Sequence, residues 1–136
     1  MRRLGLDCDN EFVNPIEDGE ILENLQELRS IQELDHALDE SRERPVLLFK
    51  HSLTCPISTR AFDELQSYLN NADPRISYKL ITVQTARAVS DEAASRLFVE
   101  HESPQAILVR HGRELWNASH RDITASALDQ AIRGTP

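Results

Sequence analysis

The pattern of apolar positions alternates along the chain between strand-like runs and helix-like spacing. Short apolar or alternating runs predict strands at Val46–Phe49, Ile76–Val83, Ala106–Val109 and Glu114–Ala118. The run Val46–Phe49 is apolar at every position, which is typical of a central strand buried on both faces. Residues 20–28 fit either a short first strand or a helix.

Apolar residues at helical spacing lie between these strands and after the last one. The predicted helices begin at Ser30, at Cys55-Pro56, at Ser90, and at Asp122 or Thr124. Ser30 and Glu33 form a capping box, which is typical of a helix start. A proline in the first helical turn gives up no hydrogen bond, because its N–H would be unpaired there. Asn70-Asn71 is expected to end the second helix.

The elements therefore follow the order (β)αβαβαββα. Alternating strands and helices in the first half predict right-handed crossovers and parallel pairing, and His111-Gly112 predicts a two-residue hairpin in the second half. We expect an α/β fold, a thioredoxin-like three-layer α/β/α sandwich with a central mixed sheet, over residues 20–136. Residues 1–19 are expected to be a flexible acidic N-terminal extension, with turn signals at Asn14-Pro15 and Asp18-Gly19.

Charge is unevenly distributed and excludes some partners. The 136 residues carry a formal net charge of −8, and residues 1–43 hold 13 of the 23 acidic residues but 4 of the 15 basic ones. The remainder has no basic stripe for a nucleic-acid backbone. No apolar run reaches the ~18–20 residues of a membrane span, and the first residues lack the apolar stretch of a secretory signal. We expect a cytoplasmic protein that binds neither nucleic acid nor membrane.

Cys55 carries the most informative chemistry in the sequence. It follows the strand Val46–Phe49 and opens a helix, where unpaired backbone N–H groups and the positive end of the helix dipole favour a thiolate. Ser58 occupies the position of the second cysteine of a C-x-x-C motif. This arrangement predicts monothiol exchange, in which Cys55 attacks a mixed disulfide on a target protein and a small thiol later frees it. The alternative is a buried, inert cysteine.

Residues next to Cys55 are candidates for supporting roles. Thr54 and Pro56 flank the thiol and are expected to contact substrate. Ser58 either donates a hydrogen bond to the Cys55 sulfur, as a second catalytic residue, or is only a polar residue of the first helical turn. His51 either adds positive charge near the thiolate or has no such role. His51 and Cys55 alone predict no metal site, because no second pair at a ligand-like spacing accompanies them.

A second segment, Ser103-Pro104, directly precedes the third core strand. In a thioredoxin architecture a proline at this place is cis and lies opposite the cysteine. We therefore expect Ser103, Pro104 and Gln105 to face Cys55 and to bind an extended substrate segment. The alternative is an ordinary trans proline in a loop. Cys8 is either a distal resolving thiol or a tail cysteine without a role.

Four segments together resemble one family. They are Phe49–Ser58 (F-K-H-S-L-T-C-P-I-S), Val89-Ser90, His101–Leu108 (H-E-S-P-Q-A-I-L) and Ala118–Thr124. The chain resembles the monothiol bacilliredoxins of the YtxJ type, small thioredoxin-fold proteins of the bacillithiol redox system. The resemblance implies removal of bacillithiol from S-thiolated partner proteins, with Cys55 as nucleophile and Pro104 as cis-proline. It also implies a small thiol as co-substrate and no bound cofactor.

The sequence departs from this family pattern at Arg121, where an aromatic residue is expected, and at Ala88, where a proline is common. Other function classes stay open. A single-thiol protein of this fold can hold an iron–sulfur cluster with a small-thiol co-ligand, although the C-G-F-S motif of such proteins is absent. It can also dock proteins without turnover, or act as a stress-response sensor. Glutathione or coenzyme A would suit the same local chemistry as bacillithiol.

Overall fold

The computed structural model describes residues 24–135. The strands and helices of this range are β1 (Leu25–Glu27), α1 (Ile31–Glu40), β2 (Val46–His51), α2 (Pro56–Leu69), β3 (Ser77–Thr82), α3 (Arg87–Leu97), β4 (Gln105–Arg110), β5 (Arg113–Ser119) and α4 (Ala125–Arg133). The strand alternative for residues 20–28 is thus confirmed over Leu25–Glu27. The predicted extension of residues 1–19, with Cys8, lies outside the described residues.

The strands form one mixed sheet in the order β1-β3-β2-β4-β5. β3 pairs in parallel with both β1 and β2. β4 runs antiparallel to β2 and to β5. β2 lies at the centre and is buried at every position. The predicted α/β sandwich with a central mixed sheet is confirmed.

Alternate residues of β2 point into opposite helical layers. Leu47 and Phe49 pack with the apolar faces of α2 and α4, whereas Leu48 packs with those of α1 and α3. Because side chains alternate along a strand, this pattern carries on to the end of β2. His51 therefore points into the layer of α2, and Lys50 points into the layer of α3.

Helix starts agree with the sequence prediction at three places, one of them α2, which begins at Pro56. Ser30 Oγ accepts a hydrogen bond from Glu33 N at 3.1 Å, while the Glu33 carboxylate accepts from Arg29 N at 2.6 Å. Thr124, not Asp122, caps α4. None of the helices in residues 24–135 is long and apolar enough to cross a membrane.

The predicted start of α3 at Ser90 is wrong. The helix begins at Arg87, with Ala86 as its N-cap. The chain turns directly out of β3, because Ala86 N donates to Thr82 O at 2.9 Å, and this turn brings Ala86 and Val89 into the core. Ser90 is consequently inside the helix and fully buried.

The hairpin between β4 and β5 forms as predicted. Arg110 pairs with Arg113, so His111 and Gly112 are the two turn residues. Their φ angles are 56° and 72°, as a type I′ turn requires. The turn is held to the end of α1, because His111 N donates to Ser41 O at 2.7 Å and Gly112 N donates to Ser41 Oγ at 2.9 Å.

Candidate active site

Cys55 is the N-cap residue of α2 and has an extended backbone. Its side chain is half-buried and makes no capping hydrogen bond. Its carbonyl oxygen accepts from Ser58 N at 3.0 Å and from Thr59 N at 3.2 Å, which closes the first turn of the helix. The thiol is therefore accessible at the N-terminal end of α2.

Gln84, which lies after β3, holds the loop that precedes Cys55. Its Oε1 accepts from Leu53 N at 2.9 Å, and its Nε2 donates to Ser52 Oγ at 2.9 Å and to Thr54 Oγ1 at 3.1 Å. Sequence reasoning missed this residue, because the contact spans about thirty positions and depends on the parallel pairing of β2 with β3. The loop that carries the thiol is thereby fixed from the neighbouring strand.

Ser58 is fully buried and directs its hydroxyl toward the end of β2. Its Oγ accepts from Ser52 N at 2.8 Å and lies 2.8 Å from His51 Nδ1. Of the two alternatives for Ser58, the hydrogen bond to the Cys55 sulfur is not formed. Ser58 instead joins the first turn of α2 to the segment that leads into it, and this sets where Cys55 lies.

His51 is buried beside Ser58, and its ring stacks on that of Phe62 with centroids 4.8 Å apart. Burial lowers the pKa of His51 from 6.5 to about 4. The imidazole is therefore neutral at neutral pH. The idea that His51 adds positive charge near the thiolate is wrong, because the ring belongs to the apolar layer between the sheet and α2.

The Ser103–Pro104 peptide bond is cis, and Pro104 is buried. The loop ends where β4 begins, and β4 pairs with the end of β2 through Gln105 and Lys50. Pro104 O accepts from His120 N at 3.1 Å, so the loop is tied to the turn after β5. Ser103 Oγ is buried and has no hydrogen-bond partner within residues 24–135.

The prediction that Gln105 faces Cys55 is wrong for its side chain. Gln105 is buried and alternates along β4 with Ala106, which packs in the α2 layer, so its side chain points to the α3 side of the sheet. There Nε2 donates to Glu100 O at 3.1 Å. Thr54 and Pro56 both flank Cys55 at the exposed surface, next to Leu53, which is 41% exposed.

A polar cluster on the α3 side of the sheet, at the end of β2, was also missed by sequence reasoning. Lys50 Nζ lies 3.2 Å from His101 Nδ1, and Ser90 Oγ lies 3.2 Å from the same nitrogen. Burial lowers the pKa of Lys50 from 10.5 to about 8, partly opposed by the nearby Asp91 carboxylate. Burial also lowers the pKa of His101, with further contributions from Lys50 and Arg87. The available signal was a lysine directly after a fully apolar strand.

Within residues 24–135, no three His, Cys, Asp or Glu side chains come together as a metal site would require. The described site has one accessible thiol at a helix start, a proline loop beside the central strand, and a serine where a dithiol enzyme has its second cysteine. These features define a thiol oxidoreductase of the thioredoxin fold.

Comparison with known proteins agrees with this class. A solved structure of a thioredoxin-fold oxidoreductase has 35% sequence identity and a TM-score of 0.72, and the match covers 82% of this chain and 96% of that one. Thioredoxin from Fasciola hepatica has 13% identity and a TM-score of 0.65, over 79% and 96% of the two chains. Trxlp from Edwardsiella tarda has 22% identity and a TM-score of 0.60, over 79% and 97%. The latter two show the shared fold alone.

The family model described as monothiol bacilliredoxin BrxC matches residues 26–128. The chain therefore belongs to the monothiol bacilliredoxin family, as the resemblance in the sequence predicted. Membership supports a thiol redox role and partners that are thiol-modified proteins.

Proposed function

We propose that the protein removes a small thiol, bacillithiol or one of similar chemistry, from mixed disulfides on proteins. The observation that carries the proposal is that Cys55 lies at the start of α2 while Ser58, a residue that cannot form a disulfide, lies three positions on. Such a site can accept a thiol adduct, and residues 24–135 contain no second thiol to displace it. Family membership supports bacillithiol as the adduct.

The reaction is two consecutive thiol–disulfide exchanges. The Cys55 thiolate attacks the small-thiol sulfur of the mixed disulfide, a new Sγ–S bond forms, and the protein thiolate leaves and takes up a proton. A second small-thiol molecule, as thiolate, then attacks the sulfur attached to Cys55. This step frees the Cys55 thiolate and yields the symmetrical small-thiol disulfide. In total, the cysteine of the target protein is reduced and the free small thiol is oxidised to that disulfide.

The described residues supply position and access for these steps. Gln84 and Ser58 fix the loop on either side of the thiol. Leu53 and Thr54 are exposed beside it, which leaves room for a modified protein to approach. The segment at Ser103 and Pro104 offers backbone groups that can pair with an extended target segment.

The test is release of bacillithiol from a protein carrying one S-bacillithiolated cysteine, followed by intact mass spectrometry. We expect multiple turnovers with the wild type and with Cys8→Ser in the presence of free bacillithiol, a transient adduct on Cys55, and no release by Cys55→Ser. The Cys8→Ser variant is the matched control, because it also removes one thiol. Release by Cys55→Ser would refute the proposal. A single turnover that free bacillithiol does not restart would identify a sensor thiol instead.

A further inference from the structure

A cleft of about 110 Å³ lies between the first turns of α2 and the turn that joins β5 to α4. Its lining residues are Ile57, Arg60, Ala61, Glu64, His120, Arg121, Ile123 and Thr124. Ile57 lies two residues after Cys55, so the cleft borders the end of α2 that carries the thiol. The inference below rests on the proposed function, because it concerns the small thiol that Cys55 would receive.

The outer wall of the cleft is held in place at both ends. His120 N donates to Pro104 O at 3.1 Å, which ties the start of the turn to the proline loop. Ile123 is buried in the core shared by α2 and α4. Ala125 N donates to Glu64 Oε1 at 2.8 Å, which links the start of α4 to α2. The cleft is therefore formed before any ligand arrives.

The charges in the cleft favour an anion. Arg60 and Arg121 are both exposed, one on each wall. In the part of the chain that the structure describes, neither forms a salt bridge, whereas Arg75 pairs with a neighbouring carboxylate. The acidic side chain of the cleft, Glu64, already accepts the Ala125 N–H. Two unpaired guanidinium groups therefore face one engaged carboxylate.

We propose that this cleft binds a carboxylate group of the small thiol that is attached to Cys55 during exchange, with Arg60 and Arg121 as its ligands. A guanidinium group suits a carboxylate because its N–H donors match the two oxygens in one plane. A volume of about 110 Å³ has room for a carboxylate group.

The test uses two chromogenic disulfides that differ in charge. They are 5,5′-dithiobis(2-nitrobenzoate), which carries carboxylates, and 4,4′-dithiodipyridine, which is uncharged at neutral pH. In both, the Cys55 thiolate attacks one sulfur, a mixed disulfide forms, and an absorbing aryl thiolate leaves. All variants are made in a Cys8→Ser background, so that one thiol reacts. Rate constants are measured at low ionic strength, where exposed charges are least screened.

We expect Arg60→Ala/Arg121→Ala to slow the reaction with the carboxylate-bearing disulfide by about fivefold to tenfold, as the loss of two exposed ion pairs would. The rate constant with the uncharged disulfide should stay within about twofold of the wild-type value. The matched control is Arg42→Ala/Arg113→Ala, which removes the same charge from exposed positions near the hairpin turn, at the other end of β2. This control is expected to retain the wild-type ratio of the two rates.

Equal slowing with both disulfides would overturn the inference, since the arginines would then only position Cys55. An equal loss of rate with the carboxylate-bearing disulfide in the control variant would also overturn it, because the arginines would then act only through the overall charge of the protein. A third outcome would also overturn the inference. In de-thiolation assays, the effect of the two arginines on the rate would then depend on acidic residues of the target protein and not on carboxylates of the small thiol, so the arginines would bind the target protein. Failure of the proposed function would look different: bacillithiol would stay on the target protein while the charge preference of Cys55 persisted.

Discussion

Ser58 Oγ lies 2.8 Å from His51 Nδ1. The first residue belongs to the opening turn of α2 and the second to the end of β2, so the contact closes the loop on which Cys55 is carried. The same oxygen accepts the backbone N–H of Ser52 at 2.8 Å. Ser58, which stands where a C-x-x-C motif has its second cysteine, therefore helps to position Cys55.

Ser58→Ala should lower the free energy of unfolding by about 1–3 kcal/mol, because it leaves the buried Ser52 N–H without its acceptor. Urea denaturation measures the change. Ser67→Ala on the exposed side of the same helix is the control and should change stability by less than about 0.5 kcal/mol. Equal midpoints for the two variants would contradict the structural role of Ser58.

Ser58→Cys should convert the site from single-thiol to dithiol behaviour. Side chains three residues apart on a helix are neighbours, so the introduced thiol can attack the Cys55 sulfur of an adduct and expel the small thiol. After reaction with a small-thiol disulfide, mass spectrometry should show a lasting adduct on the wild type and an internal disulfide in the variant. The parallel control is Ser67→Cys, at an exposed position about three turns further along α2, which should keep the adduct. A lasting adduct in Ser58→Cys would count against the assignment.

His51 gives a prediction for acidic pH. Its pKa is lowered by burial from 6.5 to about 4, so the unfolded chain binds more protons than the folded chain between these values. Stability should therefore be fully present above pH 6.5 and fall as the pH drops toward 4. The loss reaches at most about 3 kcal/mol, at 1.36 kcal/mol per pKa unit. His51→Gln should show a shallower decline in denaturation experiments over this window. Parallel curves for the two proteins would refute the assignment.

The sequence predicts most of the fold, because its signals there are local. The apolar run Val46–Phe49 identifies the central strand, and His111-Gly112 identifies the hairpin turn. The start of α3 was misplaced, because a serine that resembles a cap is in fact buried against His101, and the real N-cap, Ala86, has no capping side chain. Core packing decided that boundary, and no local pattern shows it.

The candidate site was only partly predictable for a similar reason. Cys55 and Pro104 lie in short motifs that can be recognised, whereas Gln84 and the pair Lys50–His101 act through contacts between distant segments. The charge on His51 depends on how deeply the ring is buried, which periodicity does not give. Residue type and spacing thus locate the thiol, but the residues that hold its loop can be identified only from the three-dimensional structure.

Gln84→Ala should loosen the Cys55 loop without affecting the core, since the side chain lies at the exposed surface. We expect hydrogen exchange at Leu53 N to speed up by about twofold to tenfold, in line with a net hydrogen-bond contribution of about 0.5–1.5 kcal/mol. The rate of Cys55 alkylation should change as well, while the free energy of unfolding stays nearly constant. Gln130→Ala, an exposed glutamine on α4, is the control. Unchanged exchange at Leu53 would rule out Gln84 as a positioning residue.

Lys50 gives a prediction for how folding stability changes at alkaline pH. Burial lowers its pKa from 10.5 to about 8, and its side chain faces His101 and the carboxylate of Asp91. Between these two pH values the unfolded chain binds more protons than the folded chain, so this group should make stability rise from about pH 8 toward 10.5. Tyrosines and thiols titrate in the same range, and therefore the comparison is with Lys50→Met, which is unbranched and one atom shorter. The difference in unfolding free energy between the two proteins should shift in favour of the wild type across this window. A difference that stays flat with pH would mean that Lys50 keeps its ordinary pKa in the fold.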